Sequence, residues 1–324
     1  MDMYQKREMR KNKKMDENAK SLPSTSINWY PGHMAKTKRQ ITEDMKLVDV
    51  VIELLDARIP VSSQNPDISR LVNNKKRIVI LNKADLADPV ETKKWIEYFK
   101  KKNIVALEVD SNQGKGINQV NQTIEKLMAE ELRIQNERGR IRKTIRVMIV
   151  GIPNVGKSSF INRISKKTTM VVGNRPGVTK QKQWIRIGSQ IELLDTPGVL
   201  WPKFESQEVA LNLAFTGTIK EDILQKTEIA YELVKFLLEK YRKNLCQRYG
   251  ITEEYIEKTL SQEQPENFNI YEIMLEIGRK RGCVLSGGNI DEEKTARIIL
   301  DEFKNGKLGK ITIECPISNL GHIL

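Results

Sequence analysis

The chain has 324 residues, 39% hydrophobic and 30% charged, with a net charge of +13. That length accommodates two domains, and no apolar run approaches the ~18 residues that span a bilayer, so no membrane role is expected. Cys246, Cys283 and Cys315 form no CxxC pair, which argues against a zinc site and fits a reducing cytoplasm.

The charge is uneven. Residues 1–204 hold 39 Lys/Arg and 22 Asp/Glu, a net of +17, whereas residues 205–324 hold 16 and 20, a net of −4. A basic half points to a polyanionic partner, of which RNA is the commonest. Solubility alone is the competing explanation.

Residues 1–25 are polar, rich in Lys and Asn, and end in SLPSTS. They read as a disordered basic tail. With no apolar core, and with Asp2, Glu8, Asp16 and Glu17, the start predicts neither a secretory signal nor a transit peptide. Within residues 26–204, five short apolar runs read as buried parallel strands: Val48–Leu55, Arg77–Leu81, Ile104–Val109, Ile145–Val150 and Ile191–Leu194. Helical stretches separate most of them. One is Gly116–Leu132, with Ile117, Val120, Ile124 and Leu127 on one face. Alternating strands and helices predict a doubly wound α/β sheet. In residues 205–324 the spacing becomes helical, at Ile229, Leu233, Phe236 and Leu237, at Ile270, Met274 and Ile277, and at Ala296, Ile299, Leu300 and Phe303. Asp291 caps the last of these helices and Gly306 ends it. A short run, Lys310–Glu314, follows. This second domain is expected to be mainly helical.

Four segments carry chemistry. Gly151-Ile-Pro-Asn-Val-Gly156-Lys157-Ser158 follows a strand and opens a helix, the setting a GxxxxGK[ST] phosphate loop requires. Its backbone N–H groups, at Asn154, Val155, Gly156, Ser158 and Ser159 among others, close around phosphate oxygens, helped by the helix dipole. Lys157 is expected to reach the β- and γ-phosphates, and Ser158 to ligate magnesium. Asp195-Thr-Pro-Gly198 follows the last strand, where Asp195 is placed to hold the magnesium shell and the Gly198 N–H to sense the γ-phosphate. Asn82-Lys83-Ala84-Asp85 follows the second strand. Its aspartate accepts from both N1–H and N2–H of guanine, a donor pair that adenine lacks, so it selects GTP over ATP. The Lys83 stem covers one face of the base. Asp110-Ser111-Asn112 places backbone N–H groups near the guanine O6.

These four elements resemble those of the translation-factor-type GTPases, in a different order. The base-reading motifs stand at 82 and 111, before the phosphate loop at 151 and DTPG at 195. The resemblance therefore implies a circularly permuted Ras-like P-loop GTPase domain followed by a mainly α-helical C-terminal domain. The join would fall in Asn136–Lys143. Within that class, Trp29-Tyr-Pro-Gly-His33-Met-Ala-Lys, Asp56-Ala-Arg58-Ile-Pro, Gly177-Val-Thr179 and Gly306-Lys-Leu-Gly309 resemble the ribosome biogenesis GTPase A family, over about residues 27–315. That resemblance implies GTP hydrolysis with magnesium, a role in late assembly of the large ribosomal subunit, an rRNA-contacting helical domain, and a cytoplasmic protein that is a monomer when free. The tail is not part of the pattern.

Several roles keep two explanations at this point. Thr179 is a switch threonine closing on magnesium and the γ-phosphate, or a plain loop residue. Asn154 resembles the asparagine that holds potassium in potassium-activated GTPases, or is a turn residue beside Pro153. Position 199 is Val, which cannot orient the attacking water. His33 is a candidate for that task, or a turn histidine. Lys240–Lys243 and Arg279–Arg281 are RNA contacts or solvated helix faces. The alternative function is a nucleotide-gated RNA-binding scaffold in which hydrolysis is incidental.

Overall fold

The structure is a computed structural model and describes residues 39–72, 75–137, 144–165, 184–188, 190–196, 206–219 and 225–316. The tail, most of the anticipated join, His33, Thr179, Gly198 and Val199 lie outside the described residues.

Six strands form one sheet: β1 (Val50–Asp56), β2 (Lys76–Asn82), β3 (Val105–Val109), β4 (Ile145–Val150), β5 (Trp184–Ile187) and β6 (Ile191–Asp195), in the order β3-β2-β1-β4-β6-β5. All pairs are parallel except β5 with β6. The chain thus winds outward from β1 to β3, returns beside β1 at β4, then reaches the far edge at β5 and comes back between β5 and β4 at β6. Loops diverge where the winding reverses, and ligands bind at that switch point, at the carboxyl ends of the strands. The five anticipated strands are present. β5 was not anticipated: it is a four-residue, partly exposed antiparallel edge, too short to show a period.

The strands are rich in Val, Ile and Leu because both faces are covered. Val50, Ile52 and Leu54 face one layer with Ile78, Ile80, Val147 and Ile149, against α3 (Ile117–Glu137) and α4 (Lys157–Ser165). Side chains of opposite parity face the other layer. There Leu55, Val79 and Leu81 pack under Trp95 and Phe99 of α2 (Pro89–Lys101), and Val51, Met148 and Leu194 pack with Val72 of α1 (Pro66–Val72). At 21 residues, α3 is ~31 Å long, enough to carry the chain from the edge strand β3 back to the centre.

Beyond α5 (Gln207–Phe215) come α6 (Lys226–Lys240), α7 (Arg242–Tyr249), α8 (Glu253–Leu260), α9 (Glu266–Lys280) and α10 (Glu292–Lys304), around a second core. Ile229, Leu233 and Leu237 of α6 meet Ile299, Leu300 and Phe303 of α10 there. Asp291 caps α10, accepting from the Lys294 N–H at 2.9 Å. Residues 311–316 then cross back to the sheet without forming a strand: the Ile311 N–H donates to the Leu86 carbonyl and the Ile313 N–H to the Arg58 carbonyl.

Candidate functional site

A cleft of about 530 Å³ opens at the carboxyl ends of the central strands, within the usual range for a small-molecule site. β4 delivers the phosphate loop to it, and α4 begins at Lys157. Gly156 has φ +97°, and a Cβ there would lie 2.4 Å from Asn82 Nδ2, so only glycine fits. The Lys157 ammonium donates to the carbonyls of Gly151 (3.2 Å) and Ile152 (3.4 Å), folded over its own loop. Ser158 and Ser159 are exposed on the first turn of α4.

The base end is held by side chains. Buried Asn82 donates to the Val155 carbonyl at 2.8 Å and accepts from Ser111 Oγ at 2.6 Å. It therefore ties the NKAD turn to the phosphate loop and to the base loop at once. Lys83 takes a left-handed φ of 58° and pairs with Asp56 at 3.0 Å. Ala84 follows it, its N–H donating to the Val109 carbonyl at 3.2 Å. Asp56 also holds buried Arg58, at 2.8 Å. Burial alone would push its carboxyl up, but the Arg58 and Lys83 cations hold it well below the usual carboxylate range. Asp110 Oδ1 accepts from the N–H groups of Asn112 (2.8 Å) and Gln113 (3.0 Å), which shapes the base loop.

Asp85 differs from all of these. Its Oδ1 is buried and has no hydrogen-bond partner. Burial, then the nearby Asp110 charge, raises its pKa. An unsatisfied buried acceptor costs about 1–3 kcal/mol, which a ligand bringing donors would relieve. Guanine brings two.

The far wall comes from elsewhere in the chain. Thr216 and Gly217 follow α5, and Lys304 and Asn305 end α10. Arg58 fastens this wall, donating to the carbonyls of Phe303 (3.4 Å) and Lys304 (3.3 Å), with its guanidinium 5.3 Å from the Phe303 ring centroid. Gly306 has φ +69°, and a Cβ there would meet Leu86 at 2.6 Å. The DARIP and GKLG segments are thus the joint between sheet and helices. Sequence reasoning missed Arg58, Lys304 and Asn305 as cleft residues; those two segments were the available signal. Asn154 takes φ 59° and donates to the Gly217 carbonyl at 2.7 Å, so it spans loop and wall.

β6 ends at Asp195, opposite Ile149 of β4; its side chain lies outside the described ones. Thr196 Oγ donates to the Ile149 carbonyl at 2.6 Å, pinning the strand end beside the phosphate loop. Among the described residues no group of three or more His, Cys, Asp or Glu could hold a metal by itself. Magnesium needs no such group, since it binds through one or two protein oxygens, waters and the substrate's phosphates. In the helices Arg279 pairs with Glu276 at 2.8 Å, and Arg281 and Arg248 with Glu302 at 3.2 and 2.6 Å, while Arg242 of the Lys240–Lys243 cluster lies 3.9 Å from Glu257.

Residues 146–271 match the sequence model of a family described as 50S ribosome-binding GTPase. The Bacillus cereus protein named ribosome biogenesis GTPase A is 47% identical over 290 residues, covering 90% of this chain and 94% of that one. The chain belongs to the ribosome biogenesis GTPase A family. The Thermotoga maritima protein of the same name is 32% identical, covering 90% and 95%. The solved structure of GNP-bound YlqF from Thermotoga maritima superposes with a TM-score of 0.58 at 28% identity, covering 87% and 98%. The cleft is therefore that of a P-loop GTPase, and the reaction is hydrolysis of GTP. Among the described residues no helix is long and apolar enough to cross a membrane.

Proposed function

We propose that this GTPase drives a late step in assembly of the large ribosomal subunit in the cytoplasm, by binding its rRNA while GTP is present and leaving after hydrolysis. One observation carries the proposal: the helical half supplies a wall of the nucleotide cleft, through Lys304 and Asn305. Nucleotide occupancy and the pose of the helices are therefore mechanically linked, as a switch acting on a large partner requires. The inverted motif order, read as circular permutation, strengthens the link, because DTPG stands directly before the helical half. The free protein acts as a monomer.

Asp85 reads guanine. Lys157 moves from its loop carbonyls to the β- and γ-phosphates. Ser158, Thr179 and Asp195 would hold magnesium, which offsets charge on the β- and γ-phosphate oxygens. The Gly198 N–H marks the γ-phosphate. Val199 cannot orient water, so His33 does so on the partner, and Asn154 would hold potassium at the phosphates.

Single-turnover hydrolysis on saturating large subunits tests this. Subunits should accelerate turnover, and His33→Ala should lower the stimulated rate by ~10²-fold while leaving GTP affinity and subunit binding intact. Tight GTP-dependent subunit binding with no acceleration would instead favour the scaffold in which hydrolysis is incidental.

A further inference from the structure

A second concavity, of about 360 Å³, opens at the opposite end of the sheet, where β2 and β3 begin and Leu127 of α3 closes one side. Lys75, Lys76 and Arg77 reach it from the start of β2, and Lys102 from the turn after α2, next to exposed Lys100 and Lys101. Parallel pairing of Ile78 with Val105 brings these two basic triplets together.

Ordinary causes account for part of the cluster. Lys100 and Lys101 sit in the last turn of α2, where the helix dipole favours cations. Arg77 pairs with buried Glu53, Lys76 with Glu131 at 3.0 Å, and Lys100 with Glu97 at 3.8 Å. Among the described residues, ion pairs thus join these six cations to three carboxylates. Lys75 is held at 2.9 Å by the neutral Val48 carbonyl, and the Lys102 ammonium lies 4.6 Å from the Tyr98 ring centroid. Such contacts fix an ammonium in place without cancelling its charge, and each ammonium carries three donors.

We propose that this cleft binds the phosphodiester backbone of RNA, as a contact surface of the sheet half separate from the helices. The ribosomal partner proposed above is the setting on which it rests. A membrane surface fits less well: among the described residues Val105 is the only exposed large apolar side chain lining the cleft, whereas interfacial binding needs an apolar face to bury. Phosphate contacts carry no sequence information, so binding here is sequence-independent. β2 separates this cleft from Asn82 by ~20 Å, so RNA and GTP bind together without competing.

The test uses the full chain, two unrelated labelled 20-base-pair RNA duplexes and a salt titration. Lys100→Ala/Lys101→Ala/Lys102→Ala should weaken both duplexes about 10-fold and lower the slope of log affinity against log salt by about 2–3. GTP affinity and intrinsic hydrolysis should stay within about 2-fold. A control removing the same charge from exposed, scattered sites, Lys93→Ala/Lys258→Ala/Lys310→Ala, should change RNA binding much less. The proposal is overturned if both variants bind RNA alike. It is also overturned if the first variant loses binding to phosphatidylglycerol vesicles while keeping that to RNA. Large-subunit binding separates the two levels. Subunits that fail to bind the wild type remove the ribosomal reading; subunits that bind wild type and the first variant equally remove this surface alone.

Discussion

At the base end of the cleft, side chains do the holding: Asn82 grips two loops, Asp56 grips Lys83 and Arg58, and Asp110 folds its own loop. At the phosphate end the backbone does the corresponding task, and what matters is the room left by a missing Cβ at Gly156. The two ends should therefore fail differently. A base-end substitution removes one hydrogen bond and shifts preference among bases. A phosphate-end substitution displaces the backbone and abolishes binding of every nucleotide.

The largest expected effect is at the phosphate end. Gly156→Ala combines a strained φ with a 2.4 Å clash on Asn82, so it also unseats the tie between the loops. Strain and lost buried hydrogen bonds together amount to roughly 4 kcal/mol, or about 10³-fold in affinity. GDP, GTP and xanthosine nucleotides should all be lost together in titration calorimetry. Selective loss of one base would contradict the backbone account.

Asp85→Asn comes next. It exchanges a charged acceptor for an amide whose NH₂ faces the guanine amino group. The loss should be ~1.5–3 kcal/mol for the bond concerned, and xanthosine diphosphate, which has an oxygen there, should bind better than GDP. Preference is measured by competition against a fluorescent nucleotide. Equal wild-type affinity for ATP and GTP would remove the role of Asp85 altogether.

Local determinants were legible in the sequence. The phosphate loop is announced by its own residues after the strand Ile145–Val150, and the strand runs by their Val and Ile content. Contacts across the chain were not. Arg58 reaches carbonyls 245 and 246 positions away, and no periodicity encodes that. Asn82 was legible as part of a guanine motif, but its role as a tie between loops depends on where Val155 and Ser111 come to lie. Lys310–Glu314 showed only as a short run after the last helix. Its anchors come from distant parts of the chain: the Trp95 indole N–H donates to the Glu314 carbonyl at 2.8 Å, and the Asp88 N–H donates to Thr312 Oγ at 2.9 Å.

That returning segment gives the third test. The Glu314 carboxylate is fully buried and accepts from the N–H groups of Val61 and Ser62, from Ser62 Oγ and from Asn212 Nδ2. Burial pushes its pKa up to about 7, against those donors. A raised folded-state pKa means that folding favours the protonated acid. Its stabilising contribution is complete below the ordinary value of 4.5 and is lost as pH rises to about 7. The difference is on the order of 3 kcal/mol. Denaturant unfolding of wild type and Glu314→Gln across that window should show the slope only in wild type. The glutamine variant will be less stable throughout, since its NH₂ faces donors, but the test reads the slope. Parallel curves would mean that Glu314 does not titrate there.

The smallest effect probes the point where the two ends meet. Asn154 belongs to the phosphate loop but acts through its side chain, donating to the Gly217 carbonyl on the far wall. Its φ of 59° suits glycine without strain, so Asn154→Gly removes the amide and keeps the turn. Losing one exposed hydrogen bond costs about 0.5–1.5 kcal/mol, so GTP affinity should fall by no more than about 10-fold. If Asn154 only shapes the turn, replacing sodium by potassium should change turnover equally in variant and wild type. If its amide oxygen ligates potassium, the stimulation should vanish in the variant while the sodium rate is nearly retained. Steady-state turnover in the two salts at matched ionic strength separates these outcomes. Alanine would be the wrong substitution here, because it adds strain at a positive φ and confounds a lost ligand with a displaced loop.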